Sequence, residues 1–124
     1  MSEATALRRR DQVPRDDVTT IDGGTFSYRS IWQQKNLVLV ALSETSGAAD
    51  YVAALAACAE RFRGLNAACV ITRDPVPGLP APGVVVADRW GEIVHVVNAA
   101  SVAELPEAAD LVDWLEFIGR RCAG

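Results

Sequence analysis

The hydrophobic pattern divides the chain into short apolar runs separated by punctuated loops. The longest run, Leu37–Leu42, has no alternation, and this predicts a strand buried on both faces. Beyond Glu44-Thr45-Ser46-Gly47 the period changes. Tyr51, Leu55, Cys58 and Phe62 recur at helical spacing and predict a helix over 47–63 with those four on its inner face. Gly64 suits a left-handed C-terminal cap. Ala67–Thr72 is the next apolar run, read as a second buried strand. Strand, helix and strand in this order predict a parallel, right-handed crossover unit.

Upstream, two β-prone segments, Asp17–Ile21 and Thr25–Tyr28, flank Asp22-Gly23-Gly24 and predict a hairpin, because glycine accepts the positive φ of a tight turn. Arg29–Gln34 reads as a short helical turn with Ile31 and Trp32 inward. Downstream, four prolines and two glycines within residues 73–83 exclude regular structure. Val84–Asp88 and Glu92–Val97, joined by Arg89-Trp90-Gly91, predict an antiparallel hairpin with Trp90 at its tip, folded back on the sheet in the first reading or exposed as an anchor for a partner in the second. Pro106 suits the first turn of a last helix over 106–121, with Leu111, Trp114, Leu115 and Ile118 as its buried stripe. Acidic residues early in that helix and Arg120 and Arg121 late in it match its dipole.

A chain of 124 residues, 50% hydrophobic and 23% charged, supports one globular domain, expected over 13–122 behind a flexible tail at 1–12. The net charge of -4 disfavours nucleic acid as a partner, although Arg8-Arg9-Arg10 in the tail is a local exception. No run is long enough to span a membrane, and no apolar segment follows the N-terminal arginines as a secretory signal requires. The expectation is a cytoplasmic protein with no membrane and no nucleic-acid partner. Three cysteines, Cys58, Cys69 and Cys122, are too far apart for a disulfide framework or a zinc site. The only histidine, His95, shares a face with Ile93 and Val97 if the strand alternates, and reads as structural. Neither a metal nor a cofactor is expected.

The order hairpin, strand, helix, strand, proline-rich loop, hairpin, helix resembles the thioredoxin fold: α/β, with a central mixed sheet, an N-terminal β-hairpin and flanking helices. Three stretches are similar to the redoxin branch, the peroxiredoxin-like proteins of the alkyl hydroperoxide reductase/thiol-specific antioxidant family. They are Val13-Pro14, Thr19–Ser27, and Lys35–Val40 after the turn ending at Trp32. Val86-Ala87-Asp88-Arg89-Trp90-Gly91-Glu92-Ile93 is similar to the family's D-x-x-G-x-I hairpin. The resemblance implies a cis-proline opposite the active-site loop; Pro82 is the best match and Pro80 the second.

The chain departs from the family at the site itself. The resemblance implies a Cys-x-x-Cys, or a single peroxidatic cysteine, on the first turn after the central strand, where a helix N-terminus stabilises a thiolate. Ser46-Gly47-Ala48-Ala49 stands there instead. A hydroxyl does not ionise near neutral pH and no histidine is close in sequence, so Ser46 or Thr45 reads as a helix N-cap. The vestigial positions are Thr45, Ser46, Gly47, Ala49 and Pro82. Cys58 and Cys69 fall on apolar stripes and read as inert core thiols, whereas Cys122 lies beside Arg120 and Arg121 near the C-terminus. Two functions follow from the resemblance. One is a non-catalytic binding or regulatory domain, monomeric or weakly dimeric, that takes a protein or small molecule at the face formed by Glu44–Gly47 and Pro80–Pro82. The other is a thiol-dependent oxidoreductase or peroxidase-related antioxidant protein working through a non-standard cysteine such as Cys122.

Overall fold

The computed structural model describes residues 6–14, 17–42, 48–73 and 76–123, with side chains as far as Arg120. Six strands and three helices follow in the order β1 (Val18–Thr19), β2 (Thr25–Phe26), β3 (Asn36–Ala41), α1 (Ala48–Ala57), α2 (Ala59–Gly64), β4 (Ala67–Thr72), β5 (Gly83–Ala87), β6 (Ile93–Asn98) and α3 (Ala108–Ala123). The main sheet runs β4-β3-β5-β6. β3 and β4 are parallel, and β5 is antiparallel to both β3 and β6. This is the mixed sheet that the crossover and the second hairpin predict.

β3 is buried along its whole length because its alternate residues fill two cores. Val38 and Val40, with Val84 and Val86, face Leu55, Phe62, Leu111, Leu115 and Ile118 of the helices. Leu37, Leu39 and Ala41, with Val85, Ala87 and Ile93, face Val18, Tyr28, Ile31, Val76 and Leu79 on the opposite side. The proline-rich segment thus supplies core residues: Gly78, at φ +78°, turns the chain so that Leu79 N–H donates to Val76 C=O (2.9 Å) and Leu79 is fully buried.

The β1–β2 hairpin closes around Gly23 at φ +91°. Asp22 Oδ1 accepts from Gly24 N–H (3.1 Å) and from the Thr20 hydroxyl. The Thr20 hydroxyl and the Gly24 N–H hold the Asp22 carboxyl below its ordinary value.

Several details differ from the sequence expectation. β4 is an edge strand, and only its C-terminal end is covered, by Thr20 and Ile21: Ile21 N–H donates to Ile71 C=O (3.1 Å) and Thr72 Oγ1 to Thr19 C=O (2.9 Å). The helix expected over 47–63 divides at Cys58, where the ladder tightens to a Cys58 N–H to Leu55 C=O bond (3.0 Å). The left-handed residue after α2 is Asn66 (φ +55°), not Gly64. Asn tolerates this conformation, and Asn66 Nδ2 anchors it by donating to Gln34 C=O (2.7 Å). Arg29–Gln34 begins as a 3-10 turn at Tyr28–Ser30. α3 starts at Ala108, so Pro106 precedes it. Part of the expected tail is tied to the sheet: Arg10 N–H donates to Ile93 C=O (2.7 Å), Ile93 N–H to Asp11 C=O (2.8 Å), and Gln12 bridges Glu92. Backbone pairing of this kind leaves no trace in side-chain hydrophobicity.

Candidate functional site

β3 ends at Ala41 and α1 begins at Ala48, so the connection between them leads into a helix N-terminus. Glu44, Thr45, Ser46 and Gly47 lie outside the described residues. Ala49 is exposed in the first turn of α1. Pro82 is buried, and Ala81–Pro82 is a cis peptide bond. Gly83 pairs with Ala41, which brings this proline to the end of β3 where the connection leaves. Gly83 is glycine for a steric reason. A Cβ there would lie 2.7 Å from Pro80 O and 2.8 Å from Leu79 Cδ1.

The thiols stand apart from that turn. Cys58, between α1 and α2, and Cys69, on β4, are both free and half-buried against the helical-face core. Burial, reinforced by Cys58, pushes the Cys69 thiol up to about 12, so it is neutral under physiological conditions. Cys122 falls within α3, and its side chain lies outside those described. Among the described residues, no group of three or more His, Cys, Asp or Glu side chains is placed to hold a metal ion.

His95 departs from strict alternation. Val86 pairs with His95 but Ala87 pairs with Ile93, so a bulge at Val94 takes up one residue. The extra residue moves His95 off the Ile93 face and onto the helical face, where it stacks on Trp114 with ring centroids 4.4 Å apart and planes at 15°. Burial lowers the His95 pKa and Asp110 partly opposes the shift.

The D-x-x-G-x-I hairpin is ordered by its own aspartate. Asp88 is 7% exposed, and its Oδ1 accepts from Trp90 N–H (2.9 Å) and Glu92 N–H (3.0 Å). Gly91 has φ +83° and packs against the Tyr28 hydroxyl and Gln12. Trp90 is not folded back: it is 50% exposed, with the Arg89 guanidinium carbon 5.1 Å from its ring centroid.

Sequence reasoning missed a groove of about 710 Å³ between α1 and the segment leading into α3. Tyr51 and Ala54 of α1, Val102 and Leu105 form its walls, and Cys58 lines it. Asp50 and Glu107 are its charged lining residues. The Tyr51 hydroxyl donates to Pro106 C=O (2.7 Å), tying α1 to the α3 entry. Burial pushes this tyrosine up to about 12, which keeps it a neutral donor. The only hint in the sequence is the run of alanines on the outer side of α1. A second groove, about 390 Å³, runs beside the open edge of β4 and includes Lys35, Arg63 and Cys69.

No protein-family model and no curated protein sequence matches the chain. Solved structures do. Reduced 2-Cys peroxiredoxin from Plasmodium vivax superposes with a TM-score of 0.74 at 12% identity, covering 94% of this chain and 99% of that one. The fold is thioredoxin-like, of the peroxiredoxin kind. Mycobacterium tuberculosis AhpC superposes at 0.72 and 12% identity over 92% of this chain and 94% of its own. The thioredoxin domain of a Bacteroides vulgatus thiol-disulfide oxidoreductase reaches 0.64 at 14% identity, over 91% and 99%. At such identities the redoxin-like fold is what the likeness carries. Among the described residues, no helix of this redoxin-like chain is long and apolar enough to cross a membrane.

Proposed function

We propose that this redoxin-like chain is a non-catalytic binding or regulatory domain whose turn from β3 into α1 no longer holds a redox centre. The observation that carries this reading is the position of its sulfurs. No cysteine precedes Cys58, so the connection at 42–47 and the first turns of α1 have neither a nucleophilic nor a resolving thiol. In the match to Cys-x-x-Cys, Ser46 and Ala49 take the two cysteine positions. A serine hydroxyl at a helix N-terminus is a cap; it is not a nucleophile without a base beside it. The binding face is the one formed by Glu44–Gly47 and Pro80–Pro82, with a protein or a small molecule as its ligand. The cytoplasm is its compartment, consistent with free Cys58 and Cys69 in one cluster.

Peroxide consumption with a thioredoxin or glutathione donor, and insulin reduction with dithiothreitol, test this reading. The expected result is no turnover above the protein-free rate. Turnover that Cys122→Ser abolishes would instead make the chain an oxidoreductase working through its C-terminal thiol.

A further inference from the structure

Two exposed features lie at opposite ends of the molecule. The β3–β5–β6 register fixes the ends: Ala41, Gly83 and Asn98 meet at one, and Leu37, Ala87 and Ile93 at the other. At the first end, the groove beside Tyr51 has an apolar lining rich in alanine and carries Asp50 and Glu107. Glu104 and Asp110 flank it in the chain, and no lysine or arginine lines it among the described residues. At the second end Trp90 is the most exposed large apolar side chain among the described residues. Arg89 lies over its ring, and the backbone pairing of residues 10–13 with 91–93 brings the exposed Arg10 to the same end, while Leu7 pairs with Gly78. Asp11, Asp88 and Glu92 are the acidic residues there; Asp11 accepts from the Arg8 N–H (2.9 Å) and Asp88 is buried, accepting from the Trp90 and Glu92 N–H groups.

We infer that the chain associates head to tail with a second copy, the Trp90–Arg89 tip of one inserting into the Tyr51–Val102 groove of the next. The two surfaces complement each other in both respects that matter. An apolar cleft meets an exposed indole, and the Asp50 and Glu107 carboxylates of the rim meet the Arg89 guanidinium that lies over that indole. The volume of the groove accommodates a tryptophan and the arginine beside it. One side chain and its collar bury far less than the roughly 1,600 Å² of a standard interface, so the association is weak and concentration-dependent. Because knob and groove are different surfaces, the contact is heterologous and leaves a free knob and a free groove on every open assembly. This inference does not rest on the redox reading of the site.

Sedimentation velocity over a concentration series into the millimolar range tests it. The wild-type mean sedimentation coefficient should rise with concentration, and less so at high salt. Trp90→Ala removes the knob and Ala54→Arg blocks the groove. Both positions are exposed, and circular dichroism confirms that each variant is folded. Each should stay monomeric alone. Mixed one to one, they should form a complex that stops at two chains, because the remaining knob and groove are both disabled. A wild type that is monomeric throughout overturns the inference, as does self-association that survives in either variant or a mixture that stays monomeric. A groove that ignores the second copy but takes a short arginine–tryptophan peptide would assign it to a foreign chain and equally overturn it.

Discussion

His95 on β6 and Trp114 on α3 stack face to face, 4.4 Å between centroids, and this pairing links the edge of the sheet to the last helix. Phe117 closes against the same tryptophan edge to face at 5.7 Å. The imidazole is half-buried in the stack and its pKa is lowered, so the folded state favours the neutral ring. With the folded value below the unfolded value of 6.5, the unfolded chain binds the proton more readily. The contribution of His95 is therefore complete above pH 6.5 and is lost as pH falls through the lowered value. His95 is the only histidine, so urea unfolding at neutral and mildly acidic pH isolates it. Stability should fall between the two, and His95→Phe should remove most of that fall. An unchanged pH dependence in the variant would contradict the stack as its source.

The Asp88 carboxylate organises the hairpin tip through two backbone N–H groups. Asp88→Ala leaves both without this acceptor and should cost about 1–3 kcal/mol in chemical denaturation. Asp88→Asn keeps an acceptor oxygen and should lose less. Equal losses from the two variants would mean that the hydrogen bonds do not hold the tip.

Gly91 carries a second constraint at that tip. A Cβ on it would lie 2.7 Å from the Tyr28 hydroxyl, on a backbone at φ +83°. Gly91→Ala should destabilise by at least the roughly 1–2 kcal/mol of a left-handed L-residue. In a double-mutant cycle, Tyr28→Phe should recover the part due to the hydroxyl and leave the parts due to φ and to Gln12 Oε1, which lies 2.8 Å from the same Cβ. Strict additivity of the two substitutions would show that the ring and the glycine do not meet.

Cys69 should be silent in the native protein. With its thiol near 12, only about one molecule in ten thousand carries the thiolate at mildly alkaline pH, so alkylation should run roughly a thousandfold slower than for a free cysteine. Mass-spectrometric mapping after a short iodoacetamide pulse, with and without urea, reads this directly. Native labelling at the unfolded rate would place Cys69 in water.

Elements that bury whole residues were legible in the sequence. The unbroken run at Leu37–Leu42 identifies β3, and the stripe from Leu111 to Ile118 identifies α3. Asp22-Gly23-Gly24 identifies the first turn through its backbone chemistry. What escaped depends on backbone pairing or on one-residue phase. The Val94 bulge inverts the facing of His95, which strict alternation cannot show. Asn66 takes the left-handed position because Gln34 offers its carbonyl, a long-range partner. Residues 10–13 join the sheet through N–H and C=O groups that are the same in any polar stretch. The Tyr51 groove is visible only once α1 and the α3 entry are brought together. At the candidate site, the resemblance pointed to Pro82 as the cis-proline, while the need for glycine at 83 shows only in the closeness of Pro80 O.

The central claim is a redoxin-like scaffold that lacks only its sulfur, and restoring the sulfur tests it most directly. In a Ser46→Cys, Ala49→Cys variant, the pH dependence of iodoacetamide reactivity at position 46 reports the thiol pKa. The account predicts a value below the free-cysteine value of about 8.5, because the α1 N-terminus stabilises the thiolate, together with a disulfide between the two introduced thiols on equilibration with dithiothreitol. A pKa at or above the free value, with no disulfide, would contradict it and remove Ser46 from the old nucleophile position.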